Sequence, residues 1–333
     1  MLEFSYLKDS IGLFWIAFGA SAVCSYPVYR LLLAMKARQN VSAHLGQSHQ
    51  EKQGTPTMGG LMILAGILAA FGLSGHWSLF GLTAGFALIG FADDYLVPKL
   101  RSGSRGLRWV PKLILQFIVA MIFLSTIFPE TDPNNFFFRF AFMLFWSIWL
   151  LFFVNAYNFA DGLDLLASGL LVILALSLMI LVMPFSESAF PVWEISMILI
   201  GSILPFMFFN APPARVFMGD VGSLPLGGLI GANFIYCWTE IGDSLTGNYG
   251  REFKFALFVL SIILVLELIL VPIQIGCVKL FKKRLPIRTP IHHTFEYWGW
   301  PESRILWSFL LVQILLAALA ITLVYTSGIP PWT

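Results

Sequence analysis

The sequence predicts an all-α, polytopic integral membrane protein, and three observations carry that prediction. Of 333 residues, 58% are hydrophobic and only 11% are charged, less than half the roughly 25% charged content of an average soluble domain. The mean hydropathy is +0.82. Apolar runs of about twenty residues recur along the whole chain, each long enough to cross a hydrocarbon core of roughly 30 Å. The start, MLEFSYLKDS, lacks a basic n-region, so no cleavable signal peptide is expected.

Ten spans follow in order, over residues 11–34, 57–74, 76–96, 110–128, 135–156, 162–183, 192–211, 219–238, 253–282 and 303–326. Short polar breaks such as SGH at Ser74 and PFSES at Pro184 separate neighbours that must then be antiparallel. The ninth segment is too long for a straight crossing. Pro272 inside it predicts a kink or break, with a second half that projects from the membrane. Cys24, Cys237 and Cys277 are scattered among apolar residues without metal-ligand spacing and read as small buried hydrophobes. The whole is expected to be one transmembrane domain over residues 1–333.

Lys and Arg set the orientation. With the loops around 35–56, 97–112, 155–162, 212–218 and 279–304 on one face, that face holds sixteen of the twenty basic residues; Lys8, Arg139, Arg251 and Lys254 lie on the other. The first face is therefore cytoplasmic and both termini are extracytoplasmic.

The polar stretches gather on that same face. They are EKQGTPTMGG (51–60), FADDY (91–95), NAYNFADGLDLLASG (155–169), FNAPPARVFMGDVGS (209–223) and RTPIHHTFEYWGWPE (288–302). Asp93, Asp94, Asp161, Asp164 and Asp220 thus stand beside a basic loop set. Adjacent carboxylates at membrane depth are costly, and crowded carboxylates are stable as ligands of a hard cation; Mg²⁺ favours one or two of them plus phosphate oxygens. Asn158, Asp161 and Asp164, spaced three apart, can share one helix face at the start of the sixth span. Asp220 opens the eighth span, where a helix N-cap is the alternative to a functional role. Arg101, Arg105, Arg108 and Lys112 can form a basic stripe, although an ordinary positive-inside loop accounts for the arginines. Glu267, inside the ninth span, is either functional or paired. Carboxylates for Mg²⁺, cations for phosphate and a membrane-surface position together point to phosphoryl transfer between a soluble donor and a lipid acceptor.

These five stretches, in this order and over essentially the whole chain, resemble the phospho-N-acetylmuramoyl-pentapeptide transferases (translocase I) of the polyprenyl-phosphate N-acetylhexosamine-1-phosphate transferase superfamily. The resemblance implies ten transmembrane helices in the bacterial inner membrane, Mg²⁺ dependence and a cytoplasmic active site. It also implies transfer of phospho-MurNAc-pentapeptide from UDP-MurNAc-pentapeptide to undecaprenyl phosphate, giving lipid I and UMP. It calls for membrane lipid but no nucleic acid, and it admits a homodimer. Carried over by position, Asp93, Asp94 and Asp220 match essential aspartates, Asp220 as the metal ligand, and Lys112 joins them as a catalytic residue. Lys52, Thr57, Gln116, Asn158, Asp161, Asp164, Asn210, Gln274, His292 and His293 match substrate-side positions. Two departures stand out. Thr294 replaces the usual third histidine, and Phe159-Ala160 and Leu165 stand where Leu-Thr and Gly are common.

Two rivals are weighed. A polyprenyl-phosphate GlcNAc-1-phosphate transferase would share the acidic motifs, but GTPTMGG and PIHHTFEYWGWPE are not expected in it. A secondary transporter would place its polar groups near the bilayer midplane, often within inverted repeats.

Overall fold

The computed structural model describes residues 2–35, 54–101, 106–128, 136–185, 189–245 and 248–326, and among these it contains helices and connections but no strand. In chain order the helices are α1 (Leu2–Met35), α2 (Gly60–Ser74), α3 (Trp77–Phe91), α4 (Trp109–Ile127), α5 (Phe136–Ala160) and α6 (Leu166–Val182). Then come α7 (Phe190–Asn210), α8 (Asp220–Tyr236), α9 (Asn248–Phe281), the short α10 (His292–Tyr297) and α11 (Glu302–Thr326). The protein is a polytopic membrane protein. Among the described residues, eight helices are long and apolar enough to cross a bilayer, whereas α2 and α6 have 15 and 17 residues. At 1.5 Å per residue α2 spans about 22 Å, short of a full hydrocarbon core.

The bundle is built around α8. Every residue from Val221 to Ile235 is buried, because glycines let neighbouring backbones close in on it. A β-carbon at Gly227 would lie 2.7 Å from the α-carbon of Val154, and one at Gly228 would lie 2.7 Å from the Phe86 ring. α5 and α3 pack there, as small residues permit between membrane helices. α1 pairs with α7 and α2, and α11 with α9 and α6. Phe137, Phe138, Phe145 and Ile148 on α5 are exposed, as expected of a lipid-facing surface.

Two expectations change. α9 runs unbroken through Pro272, so no break occurs there; its last buried residue is Glu267, and the remainder to Phe281 stands clear of the core. The chain between α5 and α6 is not helical. Asn158 lies in the last turn of α5, while Asp161 and Asp164 lie in the connection, so the three do not share a helix face. Leu165, with a left-handed φ of 63°, closes that connection just before α6. Glycine, common at this position in the family that the sequence resembles, adopts that conformation freely.

The end of α7 nearest its start carries a second polar pair. His76, just before α3, meets Glu194 of α7 at 2.5 Å (Nε2 to Oε2), and its Nδ1 lies 3.3 Å from Ser74 O. The hydrogen bond to Glu194 raises the His76 pKa above 6.5, burial pulls it back, and the Glu194 charge raises it again. A raised folded-state pKa gives stability that is complete below the unfolded value and is lost as pH rises through the folded one. The thermal midpoint should therefore fall from about pH 6.5 upward, and fall less in His76→Asn. Parallel profiles for the two proteins would remove the pair from the account.

Candidate active site

FADDY lies at the end of α3, where the helix widens into a π-turn, Ala92–Leu96, before continuing as Val97–Leu100. Such turns recur at functional sites because they redirect side chains out of the regular helical register. α4 brings Lys112 to the same place from its first turn, and α8 brings Asp220 as its first residue. An oxygen from each of Asp93, Asp94 and Asp220 lies within 4.8 Å of the others. The Lys112 ammonium pairs with Asp220 Oδ2 and lies 3.5 Å from Asp93 Oδ2. The Lys112, Asp93 and Asp220 side chains are 15–18% exposed, so they are shielded from solvent without being sealed.

Each carboxylate is also tied to backbone or amide donors. Asp93 Oδ1 accepts Leu107 N–H at 2.7 Å, and Asp220 Oδ1 accepts Asn158 Nδ2–H at 2.8 Å. The same Asn158 nitrogen reaches Ser223 Oγ at 2.7 Å. Asp94 Oδ2 accepts Val221 N–H at 3.0 Å. Asp220 is therefore not the cap of α8. Asp94, from another helix, satisfies one of the free N–H groups that the cap would otherwise take. Gly219 makes room for this. Its φ of 72° is left-handed, and a β-carbon there would lie 2.5 Å from Asp94 Oδ2 and 2.8 Å from Thr57 Oγ1. Thr57 is held alongside by backbone bonds that stitch its segment to the one before α8: Phe217 N–H to Pro56 O (2.9 Å), Gly59 N–H to Phe217 O (2.8 Å) and Gly60 N–H to Met218 O (2.9 Å).

The other predicted residues fall into three groups. Asp161 faces the cluster from the α5–α6 connection. Burial, then the charges of Asp220, Asp94 and Asp164, push its carboxyl well above the usual range, against a Gly219 N–H bond that lowers it. Gln116, Asp164, Asn210 and Gln274 instead make internal ties. Buried Gln116 accepts Asn155 Nδ2–H at 2.9 Å, and its own Nε2 has no partner among the described residues. Asp164 accepts Ala214 N–H at 3.0 Å, and Asn210 joins Leu165 N–H (2.9 Å) to Val216 O (3.0 Å). Gln274 accepts Leu285 N–H at 3.0 Å. His292 and His293 open α10 with ring centroids 4.2 Å apart. Lys52 lies outside the described residues, as does Arg105 of the proposed basic stripe. Of that stripe's described members Arg101 and Arg108 are exposed, and Lys112 alone enters the cluster.

Sequence reasoning left Glu267 unassigned. It is fully buried, accepts Ile291 N–H at 3.0 Å and has both oxygens 3.2 Å from His292 Nδ1. Ser223 and Asn155 were also missed; a hydroxyl and an amide inside otherwise apolar helices were the available signals. Thr294 is 2% exposed, and its hydroxyl accepts Arg288 N–H (2.9 Å) and donates to Arg288 O (2.7 Å), closing the loop ahead of α10. Thr294→Val keeps the shape but removes both bonds. It should cost about 1–2 kcal/mol, read as a lower thermal midpoint that Thr294→Ser does not share; equal midpoints would deny the loop-closing role.

The charge balance suits a divalent cation. When ionised, as a bound cation favours, the three aspartates face one ammonium and leave two negative charges among hard oxygen donors, the donor set Mg²⁺ prefers.

Comparison with known proteins identifies the family. Residues 76–238 match the family model for glycosyl transferase family 4, and residues 52–64 match the phospho-N-acetylmuramoyl-pentapeptide-transferase signature 1. The phospho-N-acetylmuramoyl-pentapeptide-transferase of Helicobacter pylori is 34% identical across 94% of this chain and 93% of its own length. Proteins of the same name from Desulfatibacillum aliphaticivorans and Staphylococcus saprophyticus are each 34% identical, over 88% and 85% of this chain and 86% and 89% of their own. The match with the Helicobacter pylori protein covers nearly the whole of both chains. The chain belongs to the phospho-N-acetylmuramoyl-pentapeptide-transferase family.

Proposed function

We propose that this chain is a Mg²⁺-dependent transferase that moves phospho-MurNAc-pentapeptide from UDP-MurNAc-pentapeptide to undecaprenyl phosphate, yielding lipid I and UMP. The reading includes one transmembrane domain over residues 1–333 with ten spans, both termini extracytoplasmic, and the aspartate cluster on the cytoplasmic side of a bacterial inner membrane. A homodimer is compatible with it. The observation that supports it most is the meeting of Asp93, Asp94 and Asp220 around the Lys112 ammonium.

An oxygen of the lipid phosphate forms the new bond to the donor's β-phosphorus. The bond from that phosphorus to the bridging oxygen breaks, and its electron pair leaves with UMP. Transition states of this kind are stabilised mainly by positioning and charge. Asp220, beside Asp93 and Asp94, would hold Mg²⁺, which would supply divalent charge against the donor diphosphate. Lys112 adds a fixed positive charge and relieves repulsion within the aspartate set. The acceptor is a phosphate monoester with a second pKa of about 6, already mostly dianionic near neutrality, so no strong base is required. Asp93 and Asp94 orient that phosphate and take a residual proton. In this reading neither acts as a nucleophile; Asp93 is shared between Leu107 N–H and Lys112, and Asp94 Oδ2 holds the start of α8, which keeps both in place beside the phosphate. Thr57, Asn158 and Asp161 act at the cluster, and His292 and His293 on the donor side. Gln116, Asp164, Asn210 and Gln274 shape the pocket through the ties described above, and Lys52 completes the substrate set.

Donor choice tests this reading. Purified protein with Mg²⁺ and undecaprenyl phosphate should release UMP from UDP-MurNAc-pentapeptide and none from UDP-GlcNAc. Release from UDP-GlcNAc alone would place the chain with the GlcNAc-1-phosphate transferases.

A further inference from the structure

Glu267, which the transfer chemistry described above does not use, forms a buried pair with His292. Both side chains are essentially without solvent exposure, 0% and 1%. One comes from the interior of α9 and the other from the first residue of α10, 25 positions later. A carboxylate inside a membrane helix is costly unless it is paired. Here both oxygens lie 3.2 Å from His292 Nδ1, and Oε2 also accepts Ile291 N–H at 3.0 Å. A carboxylate only accepts, so the proton between the two groups sits on Nδ1, which fixes the tautomer and the ring plane.

The ring is seated from its other side by Gly162. His292 Nε2 has no hydrogen-bond partner among the described residues, and a β-carbon on Gly162 would lie 2.3 Å from it. Gly162 follows Asp161, whose carboxyl is under the influence of Asp220 and Asp94. His292 therefore spans the distance between Glu267 and the connection that faces the aspartate cluster. His293, beside it, keeps 26% of its side chain exposed, so it is the histidine of the two that a soluble donor can reach.

From this geometry we infer that Glu267 is a positioning residue for the transfer reaction. It holds His292 as the Nδ1–H tautomer, and the pair fixes the α5–α6 connection at Gly162 together with the placement of His293. A carboxylate that orients an imidazole is a familiar arrangement around metal-bound histidines, where its loss costs about 10–100-fold. The same physics applies wherever an imidazole must keep one orientation. The inference rests on the transferase reading and adds to it a residue that touches neither substrate nor metal.

The test combines a mutant cycle with a spectroscopic readout. Glu267→Gln is isosteric but presents an amide whose single oxygen must serve either Ile291 or His292. Its kcat/KM for UDP-MurNAc-pentapeptide should fall at least about tenfold, with the KM for undecaprenyl phosphate nearly unchanged. The Glu267→Gln/His292→Ala double variant should be no slower than His292→Ala alone, within about twofold, because both changes remove one interaction. Gly162→Ala, which pushes the ring off its seat, should reproduce the Glu267→Gln loss. In unaltered protein, ¹⁵N spectra of labelled histidine should show Nδ1 protonated and Nε2 bare for the resonance that disappears in His292→Ala. Multiplying losses in the double variant, wild-type rates in Glu267→Gln, or an Nε2–H tautomer would overturn the inference. No UMP release from the unaltered enzyme, with the Nδ1–H tautomer in place, would strike the transferase reading instead.

Discussion

Asp220→Asn should reduce turnover about a thousandfold, near 4 kcal/mol, while the protein still folds and elutes as a single species. Asp220 Oδ2 pairs with Lys112, and Oδ1 accepts the Asn158 amide at 2.8 Å. Asparagine offers one oxygen and one NH₂ group, so one donor must face another donor. It also lowers the residual charge of the cluster from two negative charges to one, too little for firm Mg²⁺ binding. Folding should survive because the start of α8 is satisfied by Asp94 and shaped by Gly219 rather than by the Asp220 side chain. Initial rates over a Mg²⁺ titration decide the matter. Near-normal turnover at saturating Mg²⁺ would refute the ligand assignment.

Lys112→Ala should cost at least tenfold in rate, about 1.4 kcal/mol or more, whereas Arg101→Ala should leave the rate nearly unchanged. Both are cations of the 97–112 stretch that leads from α3 into α4, so a comparison separates position from charge. Lys112 is mostly buried and within reach of two carboxylates; its removal leaves three acidic groups facing one another without their fixed cation. Arg101 lies exposed at the end of the α3 extension, where solvent and salt screen it. Equal losses would mean that the segment works as a diffuse positive field.

Much of this arrangement is legible before folding. Apolar periods of membrane-spanning length locate the helices, and two adjacent aspartates ending an uncharged run announce a site because repulsion at membrane depth demands a cation. Lys112 is legible as the last cation before an apolar run. Legibility fails where the backbone leaves regular geometry or where partners are distant in sequence. The three-residue spacing of Asn158, Asp161 and Asp164 suggests one helix face, yet α5 ends at Ala160 and the two aspartates fall in the connection that leads to the left-handed Leu165. Asp220 at a helix start admits a cap reading, yet the oxygen that takes the Val221 N–H comes from Asp94, 127 residues before Val221. No local pattern joins Glu267 to His292. The proline of α9 also misleads, because a missing N–H and a steric clash predict interruption, and the helix carries it in a half that packs little against the core.

The central claim is that the aspartate pair organises a single displacement at the lipid phosphate and lends no nucleophile of its own. Asp93 is held through Oδ1 by Leu107 N–H and through Oδ2 by the Lys112 ammonium, and Asp94 through Oδ2 by Val221 N–H, which suits both to orienting the phosphate. A covalent mechanism would instead attach the phosphosugar to one of them. The deciding measurement is enzyme with Mg²⁺ and UDP-MurNAc-pentapeptide after all lipid acceptor has been removed. The account predicts no UMP until undecaprenyl phosphate is added, followed by steady release. A burst of UMP equal to the enzyme concentration, with phosphosugar trapped on Asp93 or Asp94, would contradict it.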